Sequence, residues 1–191
     1  AVRFRGRSVT RIAMTNPNIF YHKGDLPADV HFAGEIAVDS EAMGLNLLRD
    51  PLCVVQLSGG DGKAHVVQMD RTTYDCPNLK RVLADPGLTK IFHFARFDVA
   101  IIKHYLKVDC SPVFCTKIAS RLVRTYTDRH GLKDICRELL GVDLSKQQQS
   151  SDWGAETLSD AQLSYAASDV LHLHALKQKL VEMLEREDRL D

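Results

Sequence analysis

Asp39 and Glu41 stand two apart in Glu35-Ile-Ala-Val-Asp-Ser-Glu41. Alternate side chains of a strand share a face, so the two carboxylates project together, opposite Ile36 and Val38. This strand runs out into Met43-Gly44-Leu45, at a sheet edge of the kind where α/β folds bind ligands. Asp98 opens a helix directly after a short apolar strand, Lys90 to Phe94, where an acid also answers the helix dipole. Tyr165 and Asp169 are one helical turn apart and share a face, among Leu163, Ala166, Ala167, Val170 and Leu173. Taken singly, each has an ordinary explanation: a solvated strand end, a helix-start charge, a surface Tyr–Asp contact. An ionisable pair carried toward a core has to be neutralised, however, and bound cations would do that.

These residues need a sheet and helices to hold them. Leu52-Cys-Val-Val-Gln-Leu-Ser58 and Ala64-His-Val-Val-Gln-Met69 are β-rich runs on either side of Gly59-Gly-Asp-Gly62, a hairpin signal. Pro77 to Ala84 reads as a short helix ended by Asp85-Pro-Gly87, and Phe97 to Leu106 as another. Helices are expected at about 116–126 and 130–140, then one long helix from Ser159 to about Arg186. Ser159 with Gln162 three later is a capping-box pattern. Hairpin-linked strands followed by strand–helix alternation and a helical C-terminal half imply an α/β fold with a mixed sheet flanked by helices.

Composition narrows the partners. A chain of 191 residues, 45% hydrophobic and 26% charged, fits one domain able to bury a core. Lys and Arg number 25 and so do Asp and Glu, so there is no global field to hold long nucleic acid or an anionic membrane. Any anionic substrate must be bound locally, by a few placed cations or by metal ions. Ala1 to Ala13 carry Arg3, Arg5, Arg7 and Arg11 and no acid, and read as a leader or upstream extension before Met14. Subtracting those four from 25 basic residues leaves 21 against 25 acids, a formal charge of −4. Residues 14–191 are expected to form a single domain without an internal boundary. The five cysteines are odd in number and form no C-x-x-C, so neither a disulfide framework nor a zinc knuckle is supported; a reducing cytoplasm fits. No apolar stretch approaches the length of a membrane span.

The acids form one ordered pattern. IAVDSEAMGL, KIFHFARFDVAII and LSYAASDVLHLHAL resemble the three exonuclease motifs of the DEDD superfamily, in the subclass whose third motif carries tyrosine, as in ribonuclease D. The Ser150-Ser-Asp-Trp153 segment and the stretch that follows it are similar to the same block. HFARFD, CTKIASRLVRTYTDRHGLKDIC and SSDW look most like the short bacterial nanoribonuclease C type, catalytic domains without accessory RNA-binding domains. The resemblance implies a ribonuclease H-like fold with a five-stranded mixed sheet. It implies 3′-5′ exonuclease activity with two divalent cations, Mg²⁺ or Mn²⁺, hard ions suited to oxygen ligands. Asp39, Glu41 and Asp169 would hold the first cation, Asp39 and Asp98 the second, and Tyr165 would orient or deprotonate the attacking water. Short RNA, dinucleotides above all, is the implied substrate and a homo-oligomeric, octameric ring the implied assembly. Ser40 stands where threonine is common, and alternation turns it away from the cations, so that change should matter little.

Substrate contacts are less sharply marked. Leu45 resembles an apolar wedge between bases, and His93 and Phe94 could line a nucleoside pocket. Lys117, Arg121 and Arg124 fall at helical spacing and, with Arg129 and His130, form the densest basic cluster, suited to a 5′-phosphate. Trp153 reads as a packing anchor. Two rivals remain: a ribonuclease D-like enzyme trimming longer RNA such as tRNA 3′ ends, and a catalytically silent domain used for assembly. The charge balance argues against the first, and the presence of all five motif residues against the second.

Overall fold

The computed structural model describes residues 16–145 and 147–190. The arginine-rich segment 1–13 and Met14, with the leader expected there, lie outside the described residues. The chain runs β1 (Ile19–Lys23), β2 (Glu35–Ala42), β3 (Leu52–Ser58), β4 (Ala64–Gln68), α1 (Pro77–Ala84), β5 (Thr89–Phe92), α2 (Ala95–Leu106), β6 (Val113–Cys115), α3 (Thr116–Val123), α4 (Leu132–Leu140), α5 (Asp160–Leu171) and α6 (Leu173–Arg186). The strands form one sheet in the order β1-β4-β3-β2-β5-β6. Pairs β2/β3 and β3/β4 are antiparallel, and the other three pairs are parallel.

This is the expected α/β architecture with a mixed sheet, of six strands rather than five. The sequence pattern marks the four central strands and leaves both edge strands unmarked. β1 joins β4 in parallel, far from its own neighbour in sequence, and β6 is three residues long, too short to show a period. The positive-φ glycines Gly60 and Gly62 turn β3 back into β4, as the glycine-rich run predicts.

Alternation sorts the strands between two cores, broken only in β3, where Cys53 and Val54 fall on one side beside the register shift at Glu41/Ala42. Ile36, Val38, Leu52, Val55 and Leu57 face α1 and α2. Ala37, Cys53, Val54, Val66 and Ile91 face the C-terminal helices, with Ile135, Ala166, Ala167, Val170 and Leu176. Every residue of β3 is buried because both sides are covered. The long final helix of the sequence pattern is instead two helices, broken at His172. No proline or glycine marks the break. It lets α5 lie on the sheet while Leu180 and Leu184 of α6 pack against Ala119 and Val123 of α3.

The capping box at the head of α5 is formed in full. Ser159 Oγ accepts from the Gln162 amide at 3.2 Å, and Gln162 Oε1 accepts from the Ser159 amide at 2.9 Å. Ser159→Ala should therefore lower stability by about 1 kcal/mol, read as a lower urea midpoint with unchanged m-value. An unchanged midpoint would show that packing alone fixes the start of this helix.

Candidate active site

Strand β2 delivers Asp39 and Glu41 to the α5 side of the sheet, where α5 presents Asp169. One carboxylate oxygen from each lies within 4.8 Å of the others, a spacing that a single cation can span. Asp98 comes from the opposite side. It sits in the first turn of α2, is buried, and accepts a hydrogen bond from Ser40 Oγ at 2.6 Å. Ser40 does turn away from Asp39 and Glu41, as alternation requires, but there it holds the fourth acid. Threonine and serine alike would supply this hydroxyl, so the exchange keeps the contact, and position 40 bears on the site through Asp98 rather than by facing Asp39 and Glu41. Gln56, directly opposite Asp39 in the β2/β3 register, donates Nε2 to Asp39 Oδ2 at 3.3 Å.

The four acids share an electrostatic problem. Burial pushes the carboxyl pKa values of Asp39, Glu41, Asp98 and Asp169 above the usual range. Neighbouring carboxylates raise Glu41, Asp98 and Asp169 further, and no basic side chain among the described residues offsets this. Tyr165 bonds Asp169 from the preceding turn. Its phenol is pushed well above the ordinary tyrosine value, first by burial and then by Asp169, Glu41 and Asp39. The donor set is all oxygen, crowded and short of positive charge, which fits hard divalent cations.

A cleft of roughly 700 Å³ surrounds these groups. Leu45, 85% exposed, stands on one lip with Met43 and Gly44, and Ser150, Ser151 and Trp153 line the other. His93 and Phe94 also line it. The strand before them ends at Phe92, not Phe94, and Phe94 takes a left-handed conformation, φ 70°, at the start of α2. That conformation costs energy for a side-chain-bearing residue. Lys117 Nζ sits 4.3 Å from the centre of the Phe94 ring. His93 bonds Thr116 Oγ1 at 2.9 Å, and burial together with Lys117 pulls its pKa down to about 4, so its ring is neutral near pH 7.

The basic cluster divides. Lys117 lines the cleft, whereas Arg124, Arg129 and His130 do not. Helix α3 ends at Val123, so the helical spacing that would align Arg124 with Lys117 stops one residue short. Arg124 is buried instead, donating to Ser120 Oγ at 2.9 Å and to the Arg129 carbonyl at 2.7 Å, and pairing with Glu138. His130 Nδ1 meets Ser120 Oγ at 2.9 Å, and Arg121 and Arg129 are exposed. Trp153 is buried, as a packing anchor should be, with its ring 6.0 Å from that of Tyr165. Lys133, in the first turn of α4, lines the cleft and is absent from the sequence pattern. Gln56 left one signal, an amide inside an otherwise apolar buried run; Lys133 left none.

Residues 25–185 match a family model described as 3′-5′ exonuclease. The chain is 36% identical over 156 residues to the ribonuclease D of Gluconacetobacter diazotrophicus, covering 82% of this chain and 39% of that protein. It thus spans about two fifths of the length of the curated relatives it matches. Brucella melitensis NrnC solved with bound Mg²⁺ is 55% identical with a TM-score of 0.86, covering 91% of this chain and 85% of that one. The same NrnC bound to pGG is 56% identical with a TM-score of 0.87, covering 93% and 85%. Escherichia coli RNase D is more distant, at 25% identity and a TM-score of 0.72, covering 83% and 41%.

The raised carboxyl values have a signed consequence. An acid whose pKa is higher in the folded state stabilises the fold while protonated, and that contribution is lost as pH rises through the folded value. Between the ordinary value near 4 and the folded values of about 7 for Asp39 and about 8 for Asp169, the cation-free protein should lose stability. A divalent cation should offset the loss, so Mg²⁺ should raise Tm by roughly 4 °C more at pH 8 than at pH 5. An equal shift at both pH values would contradict the crowding of charge at this site.

Proposed function

The chain belongs to the 3′-5′ exonuclease family, and from that premise we propose that it hydrolyses short oligoribonucleotides from the 3′ end, dinucleotides above all, to nucleoside 5′-monophosphates. The observation that carries this reading is the cup of Asp39, Glu41 and Asp169, with oxygens within 4.8 Å of one another in an open cleft. The Mg²⁺ and pGG bound by Brucella melitensis NrnC support the cations and the substrate class.

In this mechanism Asp39, Glu41 and Asp169 hold one divalent cation, and Asp39 with Asp98 a second. When bound, the pair supplies Lewis-acid stabilisation of the charge that builds on the phosphoryl and leaving oxygens. Ser40 fixes the carboxylate of Asp98 and Gln56 that of Asp39, so the acids are oriented before substrate arrives. Tyr165, kept as a neutral phenol by burial and by its acidic neighbours, orients the attacking water by hydrogen bonding. Leu45 and Phe94 offer apolar surface to the bases, and Lys117 and Lys133 supply positive charge for a phosphate remote from the scissile bond. Two lysines suit a substrate with few phosphates; a long RNA needs a basic track.

In our reading the protein works in the cytoplasm as a homo-oligomeric ring of eight, an assembly that follows from the motif resemblance. Its five free cysteines support the compartment, and the exposed side chains of Ile118, Leu122 and Tyr126 support the assembly. Among the described residues, no helix is long and apolar enough to cross a membrane.

One assay tests this function. With Mg²⁺ and limiting enzyme, a 5′-labelled RNA of two nucleotides should be cleaved at least about tenfold faster than one of seven, and Tyr165→Phe should slow turnover at least about a hundredfold with Mn²⁺ affinity unchanged. Dinucleotide accumulating from the longer RNA would reverse the length preference, and wild-type turnover by Tyr165→Phe would remove the tyrosine from the mechanism.

A further inference from the structure

The segment from Asp152 to Thr157 carries Trp153 of the cleft lining and continues that lip outward without regular secondary structure of its own, yet its carbonyls are taken up one after another by side chains. Gln162 Nε2 donates to the Asp152 carbonyl at 3.0 Å, and Gln68 Nε2 to that of Ala155 at 2.8 Å. Lys23 Nζ donates to the Glu156 carbonyl at 3.0 Å and to Thr157 Oγ1 at 3.1 Å. Arg71 Nη2 donates to the Gly154 carbonyl at 2.7 Å.

Arg71 differs from the other donors because it holds both lips. Its Nη1 lies 3.2 Å from Met43 Sδ, on the Met43-Gly44-Leu45 side. The guanidinium reaches this position from the turn after β4, outside the cleft, and the base of that turn is stiffened by Asp70. The Asp70 carboxylate accepts from the Thr72 amide at 3.0 Å and from Thr73 Oγ1 at 3.0 Å. The junction is tight: a methyl group at Gly154 would lie 3.0 Å from Met43 Sδ and 3.1 Å from Arg71 Nη1. Next to Gly154 is Trp153, 2% exposed and packed toward Tyr165.

We infer that Arg71 is a positioning residue: it clamps the two lips of the cleft from behind, setting the cleft's width and holding Trp153 beside Tyr165. The consequence for substrate rests on the exonuclease reading above. The clamp itself does not, because Trp153 is the single tryptophan of the chain and its fluorescence reports this lip alone. A fixed pair of lips grips a small substrate without paying for closure each time, so releasing them should appear in KM before kcat.

The test compares Arg71→Met, Arg71→Lys and Gly154→Ala with the wild type, all with Mg²⁺. Arg71→Met should red-shift Trp153 emission, make acrylamide quenching at least about twofold stronger, and raise KM for a dinucleotide about tenfold with kcat within about threefold. Arg71→Lys, which keeps a donor for the Gly154 carbonyl, should recover the emission. Gly154→Ala leaves the charge unchanged and wedges the junction, so it should raise KM in the wild type and add nothing in the Arg71→Met background. Unchanged emission and quenching in Arg71→Met would overturn the clamp. A higher KM in Arg71→Met with no effect of Gly154→Ala would also overturn it, making Arg71 a direct contact for anionic substrate. A wild type unable to cleave dinucleotides would remove the exonuclease reading, and the fluorescence would still decide the clamp.

Discussion

Asp39, Glu41, Asp98 and Asp169 are crowded where burial has stripped away much of their hydration, and among the described residues no lysine or arginine relieves them. A fold tolerates such a cluster only if its remaining contacts are strong enough to hold the acids in place when the site is empty of positive charge. The sheet provides that resistance. Asp39 and Glu41 are fixed by the antiparallel pairing with β3, a strand buried along its whole length. Loading the site with cations converts the same repulsion into binding affinity, so the cost to the fold and the capacity for chemistry share one origin.

Two layers of helices converge on this point from opposite sides of the sheet. Helix α2 supplies Asp98 from below β2, tied through Ser40, and α5 supplies Asp169 and Tyr165 from above, started by a capping box. The break at His172 frees α5 to lie against the sheet while α6 packs on α3. The lips of the cleft are then joined through Arg71, outside the acids but in contact with the segments that border them.

Local spacing paired four of the site residues, and the resemblance of the ordered motifs singled them out, with Asp98, as a site. Asp39 and Glu41 are related by strand alternation, and Tyr165 and Asp169 by one helical turn, so each pair could be placed on a face before any tertiary contact was known. The same reasoning marked Ser159 and Gln162 as a cap. It failed where geometry depends on distant partners. Lys117 and Arg124 share a face only if α3 continues, and it stops at Val123, sending Arg124 into Glu138 and Ser120. Gln56, Lys133 and Arg71 reach the site or its lips through sheet register and loop packing, which leave no period in the chain. The edge strands β1 and β6 were missed for a related reason, being short or paired far from their neighbours in sequence.

The most direct measurement is the number of Mn²⁺ ions bound, by calorimetry or electron paramagnetic resonance, in the wild type and in Asp39→Asn. The shared role of Asp39 predicts two ions in the wild type and loss of both at the same concentrations in the variant. Two ions retained by Asp39→Asn would contradict the carboxylate cup as the place where the cations are held.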